Sequence, residues 1–358
     1  MNRSRAAAIP PTGLDRAMRR RTRFGLAAVA ALVVLFGGYS AYWAVVARLI
    51  ENGIAAWALS ARERQVDASW RALGVAGFPV RFRIELKDVA LRDRSVDPAP
   101  ELRVPALSGS AAPWDLGDWR LDAPTGLTGR AGVGRRPPLR LLTPSADGAV
   151  HLGAAGGGTL WLRLPEASVE GSGRVRIGAA LLWITLPAQP PQRHTEPNFG
   201  VAVDLRALEL PAAARALGDT IEELAFGITV RGVLPSGKLV RSIAAWRDAG
   251  GTVELDNLDL RWGGLGATAT GTFALDRELQ PIGGFSGAVE GYDRVLLALV
   301  QAGRIPAAEA GLAQLALTLL AKAGPDGRPQ IATSFTIQNG QMFLGPAKLG
   351  PAPRLAWQ

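Results

Sequence analysis

The stretch "VRFRIELKDVALRD", Val80 to Asp93, decides the fold. Apolar Val80, Phe82, Ile84 and Leu86 alternate with Arg81, Arg83, Glu85 and Lys87. Successive side chains of an extended chain point to opposite faces, so a period of two is a half-buried strand, apolar on one face and charged on the other. The same alternation returns in "TLWLRLPEASV" (159–169), "GRVRIGAALLWITL" (173–186), "FGVAVDLRALEL" (199–210), "LAFGITVRGVL" (224–234) and "GTVELDNLDLRW" (251–262). Gly and Pro together make up 68 of 358 residues, and with Asp and Asn they separate these runs. Long alternating runs parted by turn residues predict a mainly β (α+β) fold, an extended and twisted antiparallel sheet with helices packed on one face or end. Neither a strand–helix alternation of the parallel kind nor a repeat of fixed period is visible.

The end of the chain fits the same scheme. In "FTIQNGQMFLGPAKLGPAPRL" (335–355), Asn339–Gly340 is a strong two-residue hairpin signal. Pairing across it sets Gln338 against Gln341, Ile337 against Met342 and Phe335 against Leu344. Ser334, Thr336 and Phe343 then fall on the other face. Gly345 and Gly350 read as ends of strand pieces before Pro346 and Pro351.

Upstream of the strands the chain changes character. Residues 1–23 are a basic tail, with seven Arg against Asp15. They supply +6 of the net +9, leaving +3 for the other 335 residues. A nucleic-acid binder carries its charge on the folded face, so the distribution excludes that class. Residues 24–47 hold no charge and are long enough to cross a ~30 Å hydrocarbon core as a helix. Arg19, Arg20, Arg21 and Arg23 place the N-terminal side in the cytoplasm, while Tyr39, Tyr42 and Trp43 fit an aromatic belt at the far side. The reading is an uncleaved signal-anchor. A cleaved signal peptide ending at "AVVA" is the alternative, disfavoured because the apolar run exceeds the ~7–15 residues of a signal core. Both export everything after Arg48, with residues 75–358 as a β-rich domain; in a bacterium the anchored form is a single-pass inner-membrane protein with its main domain in the periplasm. The 187–198 loop is a candidate internal boundary. The absence of cysteine excludes thiolate metal sites and disulfides.

Helices punctuate this plan. Residues 48–74 read as a juxtamembrane helix, with Ile50, Ile54, Trp57, Ala61, Val66 and Trp70 at helical spacing. It either lies on the membrane or docks on the domain core, and its mixed polar face favours docking. Leu239–Asp248, Asp293–Ala302 and Pro306–Lys322 are further helices, the last with Leu312, Leu315, Leu319 and Leu320 as its expected buried stripe.

No motif carries a reaction. "GVLPSGKL" (232–239) has phosphate-loop spacing, yet Leu239 stands where the Mg²⁺-binding Ser or Thr belongs, so it reads as a turn and no nucleotide is expected. His151 and His194 lie in or beside loop-like stretches without partners at metal-ligand spacing, and no G-x-S-x-G elbow exists. Acidic pairs such as Glu222–Glu223 and Asp256/Asp259 read as solvated faces. No catalytic residue, metal or cofactor is expected. Trp161, Trp183 and Trp262 lie in or at the end of strands, with Trp161 beside Arg163 on the face opposite Leu160, Leu162 and Leu164. Such a sheet lines a groove for an amphiphile, or its Trp residues are simply covered by a helix or loop. With Phe343, these three are the candidate ligand-binding residues.

Residues 232–305 resemble the bacterial family called domain of unknown function 2125. The resemblance rests on Trp246 before Gly250–Gly251, on Leu260–Arg261–Trp262–Gly263, on Gly271 with Leu275–Asp276, and on Pro281 with Gly283. Gly345–Pro346 and the N-terminal "GFPVRF" (77–82) extend it over nearly the whole exported region. Pro281–Gly284 and the closing hairpin are also similar, distantly, to AsmA-like envelope proteins. That likeness implies a curved sheet with a hydrophobic trough and a part in moving lipid. The expected function is thus a non-enzymatic, membrane-anchored envelope protein binding or passing lipid. The rival is a scaffold binding an envelope protein through a sheet edge or groove; an exported hydrolase is third.

Overall fold

The computed structural model describes residues 13–132, 137–212, 215, 217–301, 303, 305–324, 327–345 and 347–355. Part of the basic tail (1–12) and of the 131–138 loop (133–136) lies outside them. The described residues open with α1 (Gly13–Glu63), about 77 Å long at 1.5 Å per residue. Short strands β1 (Val66–Ser69) and β2 (Ala72–Ala76) both pair with β3 (Phe82–Asp93), which pairs with β4 (Glu101–Ala112). Beyond β4 the sheet forks. One branch runs through β5 (Asp115–Ala123) and β8 (Ala146–Leu152), the other through β6 (Leu127–Ala131) and β7 (Leu139–Thr143). The branches rejoin at β9 (Gly158–Glu170).

From there the chain meanders, each strand antiparallel to the one before. The order is β10 (Arg174–Leu186), β11 (Pro197–Glu209), β12 (Thr220–Arg231), β13 (Thr252–Trp262), β14 (Leu265–Leu275), β15 (Pro281–Glu290). β17 (Pro329–Gln338) follows β15, with two-residue β16 (Lys322–Ala323) against its start, and β18 (Gln341–Leu344) and β19 (Ala347–Pro351) close the sheet. α2 (Leu239–Asp248) sits between β12 and β13; α3 (Tyr292–Gln301) and α4 (Ala307–Leu320) lie between β15 and β16. The expected antiparallel sheet with helices is what the chain forms.

The closing hairpin has the expected register. Gln338 faces Gln341, Ile337 faces Met342 and Phe335 faces Leu344. Asn339 and Gly340 both have positive φ, 52° and 68°, as a type I′ turn requires. Gly350, expected at a strand end, instead lies inside β19 opposite Met342.

Three expectations about helices are corrected. The helix expected over 48–74 continues α1 without a break and stops at Glu63. Amides of Arg64 and Gln65 close the last turn on the carbonyls of Ala61 and Arg62, and Gln65 then takes φ 69°. Val66–Ser69 pairs with Asp93–Ala90 as a strand, so the i, i+4 spacing of Val66 and Trp70 does not mark a helix. Trp57 is also not in the docking stripe: it is exposed, while Ile50, Ile54, Ala58 and Ala61 are the covered positions. Lastly, the leucines expected to be the buried stripe of α4 face outward, with Leu312, Leu315, Leu319 and Leu320 65–79% exposed. Helical spacing shows which residues share a stripe, not whether anything packs on it.

Burial is modest throughout. Three small clusters form the core, around Val89–Val104, Ala167–Ile177 and Trp246–Val253. The largest fully buried side chain, Phe82, stacks on Trp43 of α1 at 5.1 Å. A compact monomer of this mass exposes about 13,800 Å²; this chain exposes 23460 Å². The exposed length of α1 contributes to the excess, and among the described residues no second sheet lies over the first.

Candidate functional site

Residues directly opposite across antiparallel strands share a face, so the register traces the apolar face from β9 to β14. Leu160, Leu162 and Leu164 of β9 meet Ile184, Leu182 and Ala180 of β10. These meet Val201, Val203 and Leu205, which meet Ile228, Phe226 and Leu224. Beyond β12 the row continues through Leu260, Leu258 and Leu255 to Ala267, Ala269 and Gly271. The opposite face carries ion pairs, such as Arg206 with Asp204 and Glu223, and Arg163 with Asp147. Those two carboxylates hold the Arg206 guanidinium pKa above its ordinary value, Asp204 most strongly.

Between β13 and β18 the apolar face sinks into a hollow of about 340 Å³. Its shape follows from three cross-strand rows. In the first, Leu255, Gly271, Phe285, Phe335 and Leu344 stand side by side. A Cβ on Gly271 would lie 2.5 Å from the Phe285 ring, so glycine is what lets that ring lie across β14. Phe285 packs on Phe335 at 6.0 Å between centroids and on Phe273 at 6.3 Å, the tilted aromatic contact expected of packed rings. The middle row, Leu258–Ala269–Gly287–Thr333, has two small residues at its centre. The third, Leu260–Ala267–Val289–Ile331, is again larger. Missing side-chain volume at Ala269 and Gly287 is the hollow, and Phe285, Phe335, Leu258, Val289 and Leu344 wall it. Among the described residues, no charged side chain lines it.

At one end of the apolar face α2 closes the sheet. Trp246 is buried against Val253 and Leu275, and its indole N–H donates to the Arg231 carbonyl at 2.6 Å. The first glycine of the phosphate-loop spacing, Gly232, lies in the turn that leads to α2. The Gly232 amide donates to the Glu196 carbonyl and its own carbonyl accepts from Asn198, so this backbone is committed to the turn.

The four expected ligand residues do not converge. Trp161 and Trp183 face each other directly across β9 and β10, on the exposed face opposite the leucines. Phe343 is paired with Thr336 on that same polar side. Trp262 shares the apolar face with Leu260 but sits at the end of β13, its N–H donating to the Gly218 carbonyl at 3.1 Å. The wall of the hollow is instead aliphatic and phenylalanine side chains that look like ordinary strand residues in sequence; the legible trace was the small pair, Ala269 and Gly287, set among larger neighbours.

Titratable groups show no reactive cluster among the described residues. His151 accepts or donates at 2.6 Å with Asp118 on the surface, and Glu222 accepts the Gly263 amide at 3.0 Å. Glu223 is shared between Arg206 and Arg261. Groups of three or more metal-ligating side chains are absent from the described residues.

Comparison with known families settles the relationship. A family model described as an uncharacterized protein conserved in bacteria (DUF2125) matches residues 43–353. The chain belongs to this family. No curated protein and no solved structure matches it. In this DUF2125 protein the matched region starts within α1, at the Trp43 that stacks on Phe82, and ends just past β19. α1 also contains one stretch, within Val29–Glu63, long and apolar enough to cross a membrane, with mean hydropathy 1.9. A signal sequence has the same character.

Proposed function

We propose that this protein is a single-pass envelope protein of the bacterial inner membrane, its N-terminus cytoplasmic and its sheet periplasmic, which holds the acyl chain of a lipid. The role is binding rather than catalysis. The observation that carries the reading is the hollow at Ala269 and Gly287, walled by Phe285, Phe335, Leu258, Val289 and Leu344 and free of charge. An unlayered apolar face in water is costly, at about 25 cal/mol per Å², and an acyl chain is a cover of matching chemistry. The polar headgroup is left at the rim, outside the hydrocarbon wall. Trp262, at the end of β13, shares this apolar face but is not among the residues that wall the hollow.

Native mass spectrometry of the full-length protein in mild detergent tests this. Phospholipid or fatty acid retained in near-stoichiometric amount supports the reading. A stoichiometric protein companion without lipid supports a scaffold and contradicts it.

A further inference from the structure

Two turns of the sheet pack against the apolar part of α1. Phe78, in the turn between β2 and β3, contacts Phe36, Tyr39 and Trp43 at centroid distances of 6.0, 6.0 and 5.6 Å. Tyr39 donates its hydroxyl to the Pro79 carbonyl, and Tyr42 donates to the Pro113 carbonyl at 2.8 Å. Two turns of the sheet, 77–81 and 112–115, are therefore fixed beside helix positions 36–43.

Length then decides where those positions sit. Arg23 and Arg48 bound the uncharged run. The part of that run below Phe36, residues 24–35, spans about 18 Å as a helix, short of the ~30 Å hydrocarbon core. About 20 residues are needed, which carries the membrane to the level of Trp43. Whatever is pinned beside 36–43 is held in the outer half of the bilayer or its headgroup layer.

The exposed side chains of the two turns suit that place. Trp114 is 78% exposed, Val80 63% and Phe78 41%, with Pro79 and Pro113 beside them. Arg81 and Asp115 close the apolar tips on the sheet side. Large exposed aromatics of this kind are costly in water and favoured at a membrane interface. We infer that the 77–81 and 112–115 turns form a second membrane contact, dipping Phe78, Val80 and Trp114 into the leaflet through which α1 emerges. The sheet is then seated on the bilayer rather than tethered above it. This rests on α1 crossing the membrane.

The chain has no cysteine, so single-cysteine variants label cleanly. Trp114→Cys and Leu35→Cys, each carrying an environment-sensitive fluorophore, are reconstituted as full-length protein in phosphatidylethanolamine–phosphatidylglycerol vesicles. Trp114 is exposed, so its replacement leaves the fold intact, and Val80→Cys repeats the measurement at the other turn. The expected result is blue-shifted emission at 114 and 80, with loss of most of it when nitroxide-bearing lipids are included. If 35 is quenched while 114 and 80 emit as in water, the inference fails and the spanning helix stands. If 35 itself emits as in water, the spanning helix fails and takes the inference with it. A blue shift at 114 that lipid-borne nitroxide leaves unquenched also overturns it, and points to a second protein chain over the turns.

Discussion

Filling the hollow from within the sheet is the sharpest perturbation of the lipid-binding account. Ala269 stands in the middle row between Leu258 and Gly287, and Gly287 has no side chain to clash with a larger neighbour. Ala269→Phe puts six ring carbons into the space. Taking water's ~30 Å³ share of liquid volume as a unit, the 340 Å³ hollow holds roughly eleven methylene-sized groups. Each is worth about 0.8 kcal/mol when fully buried. The hollow is open on one side, so about half of that applies. Displacing six groups then costs about 2.4 kcal/mol of binding, roughly fiftyfold in affinity. The assay is titration of the delipidated full-length protein with a palmitate-length fluorescent fatty acid. Thr270→Phe is the matched control, since Thr270 is the next residue of β14, exposed on the other face opposite Ser286. The reasoning is refuted if Ala269→Phe binds as the unaltered protein does, or if Thr270→Phe weakens binding as much.

Other consequences follow from particular contacts. Phe82→Ala removes the largest fully buried side chain and its stack on Trp43, so a loss of about 3–5 kcal/mol is expected, read as a lower denaturation midpoint with earlier amide exchange in β3. Trp246→Phe keeps an aromatic ring, smaller than the indole, but abolishes the donor to the Arg231 carbonyl, costing about 1–3 kcal/mol and loosening α2 first in hydrogen exchange. Leu315→Glu and Leu319→Glu on α4 leave stability within about 0.5 kcal/mol, as surface changes do, because both leucines are exposed; a cooperative loss of stability would show that something packs on them. The Glu196 carboxyl is held below its ordinary pKa first by the Gln192 amide and then by the Arg193 guanidinium. A depressed carboxylate stabilises above its unfolded pKa and ceases to as pH falls through the folded one. Amide exchange in the 187–197 loop is therefore expected to be slow at neutral pH and to rise, relative to the intrinsic rate, below the usual carboxylate range.

The sheet was legible because strand alternation is a local code. Asn339–Gly340 even fixed its own register, since two positive-φ positions leave little choice. What alternation does not say is which face is hollow. Trp161 and Trp183 stood out as large aromatics, yet the pairing that sets them side by side keeps them on the ion-pair face. The hollow arises from two absences of volume, Ala269 and Gly287, 18 residues apart in sequence and brought together by the register of β14 on β15. The helices failed in a related way. Val66 and Trp70 lie at helical spacing by coincidence, and the turn at Gln65 depends on β1 finding β3. The leucines of α4 share a stripe that is left exposed, which no periodicity reveals. The docking of α1 was half visible. Ile50 and Ile54 pointed to it, but the contact of Tyr39, Tyr42 and Trp43 with turns some 35 to 70 residues later depends on tertiary structure.

The central claim is that lipid occupies the apolar face between β13 and β18 in the cell. Site-specific photocrosslinking tests it most directly, with a photoactivatable residue replacing Leu258 on the wall of the hollow, and Trp183 on the opposite face for comparison. The account predicts a lipid-mass adduct at 258 and none at 183. No adduct at 258, or a protein adduct there in place of lipid, would contradict it.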